Sequence, residues 1–103
     1  MVTVVYKGFE WDKKKAASNE KNHFITFKEA VSIFSTPYYF RTSFVHKEYQ
    51  ELRYISVGVW QGKEITVIYT LRKKRRRIIS ARRSRDYEKE YYQDYLRKIG
   101  AAR

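Results

Sequence analysis

Cysteine is absent from the sequence, which excludes a disulfide framework, a Cys-ligated zinc site and a thiol nucleophile. A reducing compartment fits that absence. Proline occurs once and glycine four times, while 43% of the 103 residues are hydrophobic and 17% aromatic. A disordered or low-complexity chain is thereby excluded. The longest uncharged stretch, Ala30 to Phe40, falls well short of the roughly 20 apolar residues of a membrane span. The opening residues, Met1 to Lys7, have neither the charged leader nor the apolar length of a signal peptide. A soluble, cytoplasmic protein is expected, with residues 1–103 forming one domain.

Acidic residues are the other shortage, 11 against 23 Lys and Arg, for a formal charge of +12. The excess is uneven: residues 1–71 carry a net +3 and residues 72–103 a net +9. Between Arg72 and Arg85 stand nine basic residues and no acidic one. Such a stripe attracts phosphates or an acidic partner.

Hydrophobic patterning predicts the order β-α-α-β-β-β-α. Val2 to Phe9 reads as one opening strand, rich in β-branched and aromatic residues. Asp12 is placed to cap a helix running to Asn22. Thr26-Phe27-Lys28-Glu29 has the spacing of a capping box, followed by Phe27, Ala30, Val31 and Phe34 on one face and a stop at Pro37. Tyr38, Tyr39 and Phe40 are expected in a strand against the sheet. Tyr54–Trp60 and Ile65–Thr70 flank a turn at Gln61-Gly62-Lys63, and a second turn within Arg72–Arg75 leads to Arg77–Ala81. A helix over about Ser84–Lys98 closes the chain, with Tyr87, Tyr91 and Tyr95 predicted on its core face. The expected fold class is α+β: an antiparallel sheet packed with two N-terminal helices and a C-terminal helix.

The chemistry is narrowed by elimination. Histidines occur only at positions 23 and 46, and no P-loop, dinucleotide fingerprint or nucleophile elbow is present. Neither a metal nor another cofactor is expected. Glu88 and Glu90 read as solvated charges that match the helix dipole. What remains is Arg, Lys and Tyr, a set suited to phosphate and unpaired bases. A ribonuclease can use the RNA's own 2′-OH as nucleophile; the protein then moves a proton and stabilises the charged phosphorane. Lys73, Lys74, Arg75 and Arg76 at the turn fit a solvated tip or loose electrostatics better than catalysis, and Arg77 and Arg82 fit binding and edge capping equally well. Tyr69, on a strand near the basic turn, is the candidate for base stacking.

The motifs add a resemblance. Phe9-Glu10-Trp11-Asp12 with Lys15 and Asn19, then His23 through Ala30, Phe34 and Pro37, resemble the opening of BrnT-type toxins of bacterial type II toxin–antitoxin systems. Glu51-Leu52-Arg53, Gly58, Val67 through Arg72 and Arg77 through Arg82 follow in the family's order, with Glu90 and Tyr91 in the last helix. Two features depart from the usual pattern: Asn22-His23-Phe24 stands where Lys-His-Gly is common, and Lys73 to Arg76 replaces a small Gly-containing turn. The resemblance implies a RelE-like ribonuclease without a metal. It also implies a BrnA-like antitoxin with a ribbon-helix-helix DNA-binding part, and a possible toxin dimer within that complex. Carried over by position, Arg53, Arg72 and Arg82 would grip the phosphate, with Lys15 assisting and Glu51 or His23 handling the proton. Arg77 is carried over as well, and the basic stripe with its adjoining strand adds Arg72, Lys73, Lys74, Arg75, Arg76, Arg77, Arg83 and Tyr69 as RNA-binding candidates. A basic RNA- or DNA-binding module without chemistry, or a ribosome-associated protein, are the competing expectations.

Overall fold

The computed structural model of the chain describes residues 1–101. Lys7 and Gly8 sit at positive φ, 50° and 83°, the geometry of a tight hairpin turn. They split the expected opening strand into β1 (Thr3–Tyr6) and β2 (Phe9–Asp12), paired antiparallel. The apolar, β-branched run hid this hairpin, although Gly8 was its signal.

Helix α1 (Lys13–His23) starts where Asp12 accepts the Lys15 amide at 3.3 Å. Thr26 caps α2 (Phe27–Val31) by accepting the Glu29 amide at 3.0 Å. The Glu29 carboxylate takes Lys63 Nζ at 2.7 Å, tying the short helix to the sheet. A 3₁₀ turn over Ser32–Ser35 carries Phe34 onto the rings of Phe9, Tyr39 and Tyr69.

Four strands follow: β3 (Phe40–His46), β4 (Glu51–Trp60), β5 (Lys63–Arg72) and β6 (Arg75–Arg83). Tyr38 and Tyr39 precede β3, so only Phe40 of the three expected aromatics joins the strand. Two-residue turns, Gln61-Gly62 and Lys73-Lys74, join the last three strands. Helix α3 (Asp86–Lys98) closes the fold. The sheet order is β1-β2-β6-β5-β4-β3. β2 runs parallel to β6, so the sheet is mixed and the expectation of a purely antiparallel one is corrected. The parallel pair arises because α1 and α2 with three further strands lie between β2 and β6, a crossover long enough to return the chain in the same direction.

Opposed residues and alternate residues along a strand share a face. Ile65, Val67 and Tyr69 of β5 face Ile25, Phe27, Ala30 and Ile33 in the core beneath α1 and α2. The other face carries Ile55, Ile68, Thr66 and Arg82, linked by the pairs Ile55–Ile68 and Thr66–Arg82. Helix α3 crosses one end of that second face, where Phe40 meets Tyr91 and Tyr95 and Glu88 reaches Thr66 and Arg82. The rest of it is open.

Asn19 fastens α1 to the sheet. Its amide donates to the Ile25 and Ala81 carbonyls at 3.1 and 2.7 Å and accepts the Ala81 amide at 3.1 Å. Removing that side chain leaves three buried backbone groups unpaired. Asn19→Ala is therefore expected to lower unfolding stability by about 3 kcal/mol, read as a lower urea midpoint with an unchanged slope.

Candidate functional site

The open face gathers arginines from three strands. A register shift between Ile68 and Tyr69 pairs Ile68 with Ser80 but Tyr69 with Ile78, leaving Ile79 as a bulge. Arg77 and Arg82 are an odd number of residues apart and would lie on opposite faces of a regular strand. The bulge resets the alternation and brings both to the open face, while Ile78 and Ala81 stay in the core.

At one end of this face, Glu51 accepts Arg53 Nε at 3.3 Å and Arg72 Nη2 at 3.1 Å. The Arg53 guanidinium lies 5.3 Å from the Tyr49 ring centroid, and Tyr49 stacks on His46. Glu10 of β2 accepts Arg77 Nη1 at 2.6 Å and pairs with Arg75 at 3.9 Å. A hollow of about 820 Å³, bounded by Val5, Gly8, Glu10, Arg72 and Arg75, adjoins the exposed Lys73 and Lys74. Arg53, Arg72 and Arg77 at this end each hold a carboxylate through a single hydrogen bond, the kind of donor that also suits a phosphate oxygen.

At the other end, Arg82 binds Glu88 through both nitrogens, at 2.6 and 2.8 Å. Glu88 also accepts the Arg85 amide at 2.8 Å and the Thr66 hydroxyl at 3.1 Å. It is 3% exposed, so the expectation of a solvated charge is corrected. The signal was present: with Arg85 as N-cap, Glu88 occupies the N3 position of a capping box. A helix begun at Ser84 conceals that spacing. Burial alone pushes the Glu88 carboxyl up, but the Arg82, Arg85 and Thr66 hydrogen bonds outweigh it and hold the carboxyl below its ordinary value. The hydrogen bonds from Arg82 to Glu88 in turn raise the Arg82 guanidinium, against the opposing effect of its burial.

Arg82 pairs with Thr66, six residues along β5 from Arg72; at strand rise their backbones stand roughly 20 Å apart. Glu51, Arg53 and Arg72 are therefore brought together, and Arg82 stands at the far border of the same face. Lys15 and His23 are exposed on α1, which packs on the opposite face. Arg76 also turns to that side, its guanidinium 4.9 Å from Phe34 and 5.3 Å from Phe9. Arg83 opposes Ile65, and so flanks the helix-covered side.

The tyrosines exchange roles. Tyr69 is 2% exposed, its phenol bonded to Ser56 at 2.9 Å and pushed up by burial; it cannot stack on a base. In α3, Glu88 and Tyr92 point inward, and Tyr87 and Tyr91 are exposed. The predicted core face of that helix was rotated by one position because Glu88, a charged residue, takes an inward place.

Among the described residues, no group of three or more His, Asp or Glu side chains is arranged to hold a metal ion. No helix among them is long and apolar enough to cross a membrane.

A basic α+β chain with paired guanidiniums on one open sheet face has the charge and the donors that a phosphate-binding surface requires. Residues 11–88 match the family model described as the ribonuclease toxin, BrnT, of type II toxin–antitoxin systems. The chain belongs to this BrnT family of ribonuclease toxins, and membership implies an RNA target and an antitoxin partner. A comparison with curated proteins finds no match.

Glu88 has a consequence for stability. A depressed carboxyl stabilises the fold above the ordinary value of 4.5 and loses that contribution as pH falls through the lower folded value. Glu88→Gln is expected to flatten the acid limb of a plot of urea midpoint against pH. Arg82→Ala strands the buried carboxylate and should destabilise by about 3 kcal/mol, so its loss of activity reports folding as well as chemistry.

Proposed function

We propose that this chain is an endoribonuclease that uses the RNA 2′-OH as nucleophile, needs no metal, and slows translation in the cytoplasm until its antitoxin binds. The observation that carries this reading is the convergence of Arg53 and Arg72 on the Glu51 carboxylate at the open face. A scissile phosphate replaces Glu51 in both guanidinium contacts, because a phosphate offers the same pair of oxygens with more charge. The freed Glu51 carboxylate then takes the 2′-OH proton. The 2′-oxygen bonds to phosphorus, the bond to the 5′-oxygen breaks, and a 2′,3′-cyclic phosphate and a 5′-OH result once that oxygen gains a proton. Arg53 and Arg72 stabilise the phosphorane without themselves titrating.

Arg82 serves a phosphate further along the strand at the far border, and Arg75, Arg77, Lys73 and Lys74 hold the strand that leaves across the hairpin tip. Arg76 and Arg83 contribute to the field more than to direct contact. Lys15 and His23, on the α1 side, enter only where RNA wraps the sheet edge; Glu51 is accordingly the favoured base. The antitoxin in this reading is BrnA-like, with a ribbon-helix-helix part, and its acidic residues compete for the same arginines. A toxin dimer within that complex is compatible with both free sheet edges.

Induction of the chain in a bacterial host, with mapping of new RNA 5′ ends, tests the reading. The intact chain should arrest growth and generate new ends. Arg53→Ala/Arg72→Ala should lower cleavage by about 100-fold or more, and Glu51→Gln should lower it with RNA affinity retained. If the intact chain produces no new ends yet binds RNA with steep salt dependence, it is a basic binding module and the enzyme reading fails.

A further inference from the structure

Beyond the arginines, the open face is bordered by aromatic rings that the fold does not require to be exposed. Tyr87 and Tyr91, four apart on α3, are 52% and 55% exposed. They lie one helical position from the buried pair Glu88 and Tyr92, hence about 100° around the helix. Tyr91 lies nearly parallel to Phe40, with centroids 5.9 Å apart and an 8° interplanar angle, and Tyr87 meets Tyr91 edge-on at 6.2 Å. Tyr87 directly precedes Glu88, whose carboxylate holds the Arg82 guanidinium. A continuous run of rings therefore leads from the edge strand β3 to Arg82. Beside it, the opposed Ile55 and Ile68 are half-buried and form an apolar floor between Arg82 and the Arg53–Arg72 pair.

We propose that Phe40, Tyr91 and Tyr87 form a stacking platform for the bases of unpaired RNA, which makes single-stranded RNA the substrate class. The inference rests on the ribonuclease reading for its ligand, RNA, but not on the chemistry at Glu51. Guanidiniums at both ends of the floor take phosphates, and rings with an apolar floor between them take bases, the alternation that a single strand presents. Bases in a duplex are already stacked and paired, so their faces cannot reach the platform. Tyrosine also suits the position because its ring stacks on any base while its hydroxyl stays in water.

The test uses a short RNA strand, the same strand annealed to its complement, and a fully 2′-O-methyl version that lacks the nucleophile. The intact chain should cleave the single strand at least about tenfold faster than the duplex. Tyr87→Leu/Tyr91→Leu should weaken binding of the 2′-O-methyl strand by about tenfold or more, the scale of a lost base stack. Its slope of log affinity against log salt should stay unchanged, because no phosphate contact is removed. Tyr87→Phe/Tyr91→Phe should restore affinity, and thermal melts should show all variants folded. Unchanged binding by the leucine variant, or equal cleavage of duplex and single strand, overturns the platform. Tyrosine-dependent binding with no cleavage of any RNA leaves the platform standing and removes the ribonuclease reading instead.

Discussion

One extra residue in β6 governs what the two faces of this sheet can be. Ile79 has no partner on β5, and beyond it the alternation of the strand is reversed. Ile78 and Ala81 thereby both reach the core, while Arg75, Arg77 and Arg82 all reach the opposite face. A regular strand would have to bury an arginine or expose an isoleucine at one end or the other. Both alternatives are costly, the first by several kcal/mol for an unpaired buried charge and the second by about 2 kcal/mol of lost apolar burial. The bulge lets a single strand serve a dry face and a charged face along its whole length.

Concentrating so many cations raises a second problem, their mutual repulsion. Three glutamates offset it locally. Glu51 holds Arg53 and Arg72, Glu10 holds Arg77 with Arg75 nearby, and Glu88 holds Arg82. These pairings do different work according to burial. The Glu51 and Glu10 pairs lie on the open face, where their arginines can exchange a carboxylate for a phosphate. The Glu88 pair is shielded, hydrogen-bonded on every side and built into the start of α3, so it docks the helix and sets the border of the face. Five arginines thus share one surface without sharing one role.

Much of the architecture was legible in local chemistry. Asp12 and Thr26 cap their helices as their side chains predict, Gln61-Gly62 turns the central hairpin, and the long β-branched runs become the inner strands. Two of the departures share a cause. The parallel pairing of β2 with β6 and the inward place of Glu88 each depend on a partner distant in sequence, whereas the Lys7-Gly8 hairpin is local and was signalled by Gly8. Tyr69 shows the same limit: a tyrosine on a strand beside basic residues fits a base or a core equally well until its face is known, and the Ser56 bond with Phe34 packing puts it in the core.

By itself the sequence determined the charge, the absence of thiol chemistry, the element types and the phosphate-seeking composition. Each of these is a property of residue type or of short-range spacing. Its ordered motifs also carried the resemblance to BrnT toxins that the family match bears out. Tertiary structure alone decided which arginines share a surface, because strand alternation makes a face depend on register and the Ile79 bulge changes that register midway. It also decided which carboxylate is buried and which tyrosines are exposed. Those outcomes depend on how α3 rotates as it docks, and the Arg82–Glu88 pair, closed only in the folded chain, sets that rotation.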